Sequence, residues 1–330
     1  MAMIHTRRRL LGGMALSVPA ALLPLRRAAA VEPPPETSTI RLSKHPTICF
    51  APQYVCEELL RAEGFTDIRW VDIPNPSIWQ ELGIGQIDFA SNLSLNHIIA
   101  IDKGASITIV SGVHGGCYEL FVHGAVRAIT DLKGKRVGET EGGVLVALMA
   151  AWVGLDPKKD LTVVDDPTAR PLDLFAEGKL DAYLSNPPEA QELHARKTGH
   201  VILRTAVDKP WSQYFCCMLA ANREYTARYP VATKRVIRTV LKAADLCASN
   251  PELAARQIVE GGFAENYDYA LQTLTENPYG AWREYDAEDT MRFYALRLHD
   301  LGAIKNTPQQ IIANGTNWRF LNEVKRELKA

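Results

Sequence analysis

Gly178 to Pro188 reads GKLDAYLSNPP, and Gly85 to Asn92, earlier in the chain, reads GQIDFASN. Both copies run glycine, a polar residue, Ile or Leu, aspartate, a short apolar run and Ser-Asn. Glycine ends a helix, and the residues after each aspartate have the apolar character of a buried strand. Ser-Asn then falls toward the strand's carboxyl end, the side on which open α/β sheets bind their ligands. A chain that writes this corner twice is expected to build two like lobes. Ser91-Asn92 and Ser185-Asn186 are then expected on opposite walls of one cleft. Taken singly, either pair would also serve as a helix cap.

The pattern around the two copies alternates strand-like and helix-like segments. PTICF (46–50), DIRWVDI (67–73), IDFASN (87–92) and ITIVSGV (107–113) read as strands, with helices over 55–63, 77–85 and 95–104 between them. Alternation at this spacing means a mostly parallel sheet covered on both faces. The pattern restarts at YELFVHG (118–124) and continues through KRVGE, LTVVDD, DAYLS and HVILRT to QYFCCMLAA (213–221). From Glu224 onward apolar residues recur at helical spacing. The expected organisation is a linker over 31–43, one lobe from 44–117 and 217–330, and a second lobe, 118–216, inserted into it. Strands near Tyr118–His123 and Gln213–Met218 are expected to cross between the lobes, and the C-terminal helices to pack on the first.

The chain has 330 residues, 47% hydrophobic and 23% charged, with a net charge of −1. That balance argues against nucleic-acid binding, which calls for a basic surface. Residues 1–30 have the order of an export signal: basic, apolar, then small residues before a cut near Ala30. Thr6-Arg7-Arg8-Arg9-Leu10-Leu11 fits the twin-arginine pattern. Removing this leader deletes five Arg and no acid, taking the net charge to −6. The mature chain is expected in the periplasm.

Six cysteines, Cys49, Cys56, Cys117, Cys216, Cys217 and Cys247, show no paired zinc-finger spacing, and the eight His are dispersed. No metal and no cofactor are expected; the thiols read as small buried apolar groups. Adjacent strand residues face opposite ways, so Cys216 and Cys217 are not expected to serve one site. GxSxG, HExxH and P-loop templates are all missing. No catalytic residue is therefore assigned.

ITDLKGKRVGETEGG (129–143), LDLFAEGKLDAYLSNPPEA (172–190) and GIGQIDFASN (83–92) resemble the periplasmic solute receptors of ABC importers in the sulfonate, nitrate and thiamine-precursor group. The resemblance runs from about Pro46 to about Glu252. It implies a two-lobed α/β clamshell, a type II periplasmic binding protein with a helical C-terminal region. Such a receptor would close on a small organic solute, sulfonate-, taurine- or pyrimidine-like, and deliver it to a permease and ATPase. It would act as a monomer. The alternative is an enzyme of the thiamine-pyrimidine-synthase type on the same fold; Tyr214-Phe215-Cys216-Cys217-Met218 resembles only part of its cysteine-rich run.

Several stretches are candidates for holding the solute. Glu141-Gly142-Gly143-Val144 opens an apolar helix, where bare N–H groups favour an anion. Glu139 and Glu141 there weaken the case for a strong dianion and leave room for a neutral, heteroaromatic or zwitterionic solute whose amine meets a carboxylate. Gln53 and Tyr54 follow the first strand, and Asn75 follows the second. Val113 to Glu119 joins the lobes, offering His114, Tyr118 and Glu119, with Gly115 and Gly116 allowing close approach or a turn. Trp211, Gln213 and Tyr214 precede the second crossing, where aromatic rings stack on planar ligands or simply pack.

Overall fold

Strand β1 is TIRLSK, Thr39–Lys44, with Ile40 and Leu42 fully buried between half-exposed Thr39 and Arg41. This period-2 pattern is that of a strand, so residues 39–43 of the stretch read as a linker, 31–43, belong to the first sheet. The expected strand at 46–50 is a correction of the same kind. Ile48–Phe50 is a 3₁₀ turn leading into α1, Ala51–Tyr54. Pro52 lies in the first turn of α1, where its missing N–H costs nothing. The computed structural model describes residues 32–45, 47–74, 77–139, 143–164, 166 and 168–329. The export signal read at 1–30 lies outside them.

The first sheet also contains β2 (Asp67–Asp72), β3 (Phe89–Leu93), β4 (Ile107–His114) and β10 (Cys217–Asn222). Its order is β2-β1-β3-β10-β4, with β10 antiparallel to both neighbours. The second holds β5 (Glu119–Val122), β6 (Lys135–Glu139), β7 (Leu161–Val163), β8 (Ala182–Ser185) and β9 (His200–Arg204). Its order is β7-β6-β8-β5-β9, with β5 antiparallel to both neighbours. The two sheets thus share one plan. The echoed stretches supply the third strand of each, beside the antiparallel one. The strands expected to cross between the lobes do not do so: each belongs to one sheet only. The crossings are instead the links 115–118 and 205–216.

The aspartate of each echo has a matching task. Asp88 N–H donates to the Arg41 carbonyl at 2.8 Å, and Arg41 N–H donates back to the carboxylate at 2.7 Å, as does its guanidinium at 2.6 and 3.1 Å. Asp181 repeats this with Arg136, its N–H donating at 2.8 Å and its carboxylate accepting at 2.8, 3.0 and 3.1 Å. Each aspartate therefore pins its strand to the neighbour before regular pairing begins. The preceding glycines, Gly85 and Gly178, take φ of +77° and +72°, a conformation that favours glycine.

Helices α2 (Glu57–Ala62), α3 (Ile78–Gly83) and α4 (Ser94–Asp102) connect the first sheet; α5 (Val144–Trp152), α6 (Pro171–Ala176) and α7 (Glu189–Arg196) connect the second. The C-terminal helices are α8 (Arg223–Arg228), α9 (Pro230–Ser249), α10 (Pro251–Glu260), α11 (Tyr267–Glu276), α12 (Ala287–Asp300), α13 (Pro308–Gly315) and α14 (Arg319–Glu327). Helices α9, α13 and α14 pack on β4 and α12 on α4, all on the first sheet, while α11 reaches across to α7 beside the second. Arg238 ties α9 to α2 by donating to both oxygens of Glu63, at 2.6 and 2.9 Å. Residues 34–330 form one compact unit. Among the described residues no helix is long and apolar enough to cross a membrane.

Candidate functional site

The two Ser-Asn pairs do not cap helices. Ser91 and Asn92 lie inside β3, and α4 begins only at Ser94 without a side-chain cap. Ser185 ends β8, and α7 is preceded by Pro188, again without one. Asn92 Oδ1 accepts from Leu93 N–H at 2.7 Å. The hydroxyls of Ser91 and Ser185 are both buried and have no hydrogen-bond partner. A buried hydroxyl left without a partner is costly, and both copies of the echo leave one in the same place.

Gln53, read as a ligand group, is committed to backbone. Its Nε2 donates to the Ser43 carbonyl at 2.7 Å and its Oε1 accepts from Ser91 N–H at 2.7 Å. It bridges β1 and β3 where their direct pairing, limited to Leu42 and Phe89, has ended. Tyr54 is also committed: its hydroxyl donates to the His45 carbonyl and its ring stacks on Phe263 at 4.3 Å. Trp211 is buried against Trp152 and Phe293, and Tyr214 stacks on Phe293 at 4.0 Å, so these aromatics pack against protein. Gln213 is exposed. Asn75, Glu141 and Gly142 lie outside the described residues.

Tyr118 and Glu119 do come together, in a cavity of about 140 Å³. Its wall is built from the first crossing and β5 (Cys117, Tyr118, Glu119), Pro187 and the start of α7 (Ala190, Gln191), the end of β9 and the chain after it (Arg204, Ala206, Val207) and the end of α11 (Glu276, Asn277). Arg204 Nε lies 3.0 Å from Glu119, which His194 also contacts, so the wall carries both signs of charge. Gln191 and Asn277 line it from α7 and from the end of α11; Gln191 Oε1 is buried without a hydrogen-bond partner, and the Asn277 amide is hydrogen-bonded to Tyr279. Ser185 pairs with Glu119 in the sheet, one position behind this wall. Ser91 does not reach the cavity. Sequence reasoning missed Gln191, Arg204 and Asn277. Gln191 left a signal: it is a polar residue on the buried face of α7, beside Ala190 and Leu193.

The N-terminus of α5 is not an open anion site, which corrects the expectation for Gly143 and Val144. Gly143 sits at the cap with φ +80°, but the Glu139 carboxylate already accepts from Val146 N–H at 3.0 Å and Leu145 N–H at 3.4 Å. Burial pushes the Glu139 carboxyl up to about 7, outweighing those two hydrogen bonds. The glycines of the first crossing serve protein contacts rather than a ligand. A Cβ on Gly116 would lie 2.2 Å from the Thr205 carbonyl carbon, and one on Gly115 2.7 Å from the Tyr285 hydroxyl.

His114 ends β4 fully buried, its Nδ1 engaged with the Gly115 carbonyl. The fold gathers cysteines from three separate segments around it. One donor atom each from Cys49, His114, Cys117 and Cys217 lies within 4.8 Å of all the others. Cys216 Sγ is 3.4 Å from Cys117 Sγ and 3.9 Å from Cys217 Sγ. The expected opposition of Cys216 and Cys217 fails because Cys216 precedes β10, where strand alternation does not apply. Burial works against ionising Cys49, but hydrogen bonds from Cys117, Cys217 and His114 outweigh it and hold this thiol well below its ordinary value. Burial pushes Cys117 and Cys217 well up.

Comparison with known proteins bears on the whole of this arrangement. The model of the NMT1-like family matches residues 102–260. No curated protein matches the sequence. The nitrate-binding protein NrtA of Synechocystis PCC 6803 superposes with a TM-score of 0.74 at 15% identity, covering 90% of each chain. The chain has the periplasmic binding protein fold. The alkanesulfonate-binding protein SsuA of Xanthomonas axonopodis pv. citri, bound to MOPS, superposes at 0.67 with 17% identity, covering 86% of this chain and 99% of that one. The aliphatic sulphonate binding protein SsuA of Escherichia coli gives 0.66 at 18% identity, over 83% and 91%.

Proposed function

We propose that the chain is a periplasmic solute receptor for an ABC importer. It captures a small organic solute between its two sheets and presents it, as a monomer, to a permease and its ATPase. The observation that carries this reading is the cavity itself, lined by Gln191 of α7 on one side and by Asn277 at the end of α11 on the other. A solute that contacts both can do so only when the halves are together, so binding shifts the population toward the closed form. The links 115–118 and 205–216 are the two points about which the halves turn, and the leader at residues 1–30 directs export.

The charge of the site narrows the solute. The cavity wall carries Glu119 and Glu276 and pairs Glu119 with Arg204. An acidic centre with one basic partner suits a taurine-like zwitterion, or a neutral pyrimidine, better than an amine-free sulfonate. The enclosed volume, about 140 Å³, is well below the ~300–1,000 Å³ of drug-sized pockets and demands a small occupant. The test is a thermal-shift and calorimetric screen of the mature chain against sulfonates, taurine-like zwitterions, pyrimidines and small aromatic acids. One class is expected to raise Tm and to be recovered chemically unchanged after denaturation. Silence across the panel would sink the receptor reading, and a consumed ligand would favour an enzyme.

A further inference from the structure

Three cysteines and a histidine that lie far apart in sequence meet where the two crossings begin and end. Cys49 belongs to the 3₁₀ turn after β1, His114 ends β4, Cys117 lies in the first crossing, and Cys217 opens β10 after the second. All four are buried, and a donor atom from each lies within 4.8 Å of the rest. We propose that Cys49, His114, Cys117 and Cys217 form a closed tetrahedral site for Zn²⁺ that braces both crossings.

The donor set is that of structural zinc: three thiolates and one imidazole. Zn–S bonds of about 2.3 Å place donors roughly 3.8 Å apart, so the cluster needs to contract by about 1 Å or less. The ring is set for ligation. His114 Nδ1 is turned to the Gly115 carbonyl, which leaves the buried Nε2 to the thiol cluster. A backbone carbonyl on the non-ligating nitrogen is the usual orientation device for a metal-bound histidine. On binding, the thiol protons leave to solvent as the sulfur–zinc bonds form, with no change of oxidation state. Nothing in this depends on which solute the cavity accepts, so its failure leaves the receptor reading untouched.

The competing fate of the same thiols is a Cys117–Cys216 disulfide, since those sulfurs lie 3.4 Å apart. Cobalt separates the two. The mature chain, stripped with chelator and kept reduced, is titrated with Co²⁺ and then with Zn²⁺. The site predicts a thiolate-to-cobalt charge-transfer band and the visible envelope of tetrahedral cobalt, saturating at one equivalent and displaced by zinc. Cys216→Ser and Cys247→Ser are expected to keep both signals, while Cys217→Ser and His114→Gln lose or shift them. Should those two variants fail to fold, X-ray absorption of the zinc-loaded wild type is expected to show three sulfurs and one nitrogen. An octahedral cobalt spectrum, a zinc shell of oxygen and nitrogen only, or loss of binding in Cys216→Ser would overturn the proposal.

Discussion

Single residues carry opposite burdens in the two halves of the echoed motif. Asp88 is 3% exposed and Asp181 32%, though both hold an arginine in the same way. Removing a buried charged partner strands the other groups, whereas an exposed pair contributes little. Asp88→Ala is therefore expected to cost about 3 kcal/mol in urea denaturation, and Asp181→Ala about 1 kcal/mol. Glu139 gives a pH signature. Its folded pKa of about 7 lies above its ordinary value of 4.5, so between these limits the folded state binds more protons than the unfolded one. Stability is then highest below pH 4.5 and falls as pH rises toward 7. The shift corresponds to roughly 3 kcal/mol. Glu139→Gln, which keeps an acceptor for Val146 N–H, is expected to flatten this slope in Tm measured against pH. An unchanged slope would show that Glu139 is not the group responsible.

At the scale of elements, the crossings decide how the halves meet. Tyr118 N–H donates to Thr205 Oγ1 at 2.8 Å and Thr205 N–H donates to the Tyr118 carbonyl at 2.9 Å, so the first crossing is zipped onto the start of the second. Gly116 permits that approach, because a Cβ there would sit 2.2 Å from Thr205 backbone. Gly116→Ala is expected to destabilise the protein by about 3 kcal/mol, the upper end for overpacking. Gly134 differs: its φ is +74° but nothing lies within 4 Å of an added Cβ. Gly134→Ala should cost only the ~1 kcal/mol of left-handed backbone. Equal losses of Tm for the two would mean that space at Gly116 is not what holds the crossings together.

Across the whole molecule, one cavity is lined by the first crossing, α7 and the end of α11, so its polar groups come from segments far apart in the chain. Gln191→Leu and Asn277→Ala are each expected to weaken the same solute about tenfold, the loss of one hydrogen bond in a closed site. Scattering should show the wild type contracting on saturation with solute. Affinity lost in only one of these variants would confine the solute to one half.

Much of the architecture was legible in the residues. The echo, the strand-helix alternation and the helical C-terminus rest on local pattern, which depends only on chain chemistry near in sequence. So the third strands β3 and β8 and the glycine turns before them stand where the motif puts them. The early strand escaped notice because the Pro-rich run Pro33-Pro34-Pro35 masks the short alternation of Thr39–Lys44. The candidate site was less legible. Gln53 and Tyr54 are ligand-like by type but their polar atoms are spent on Ser43, Ser91 and His45. Which hydrogen bonds are already taken depends on neighbours brought from elsewhere in the chain, and no spacing records that. The sequence alone determined two α/β halves, each built around the same glycine–aspartate corner. Only the tertiary structure decided that Gln191 and Asn277 share a cavity and that Cys49, His114, Cys117 and Cys217 share a centre, because those meetings are made by closure of long loops.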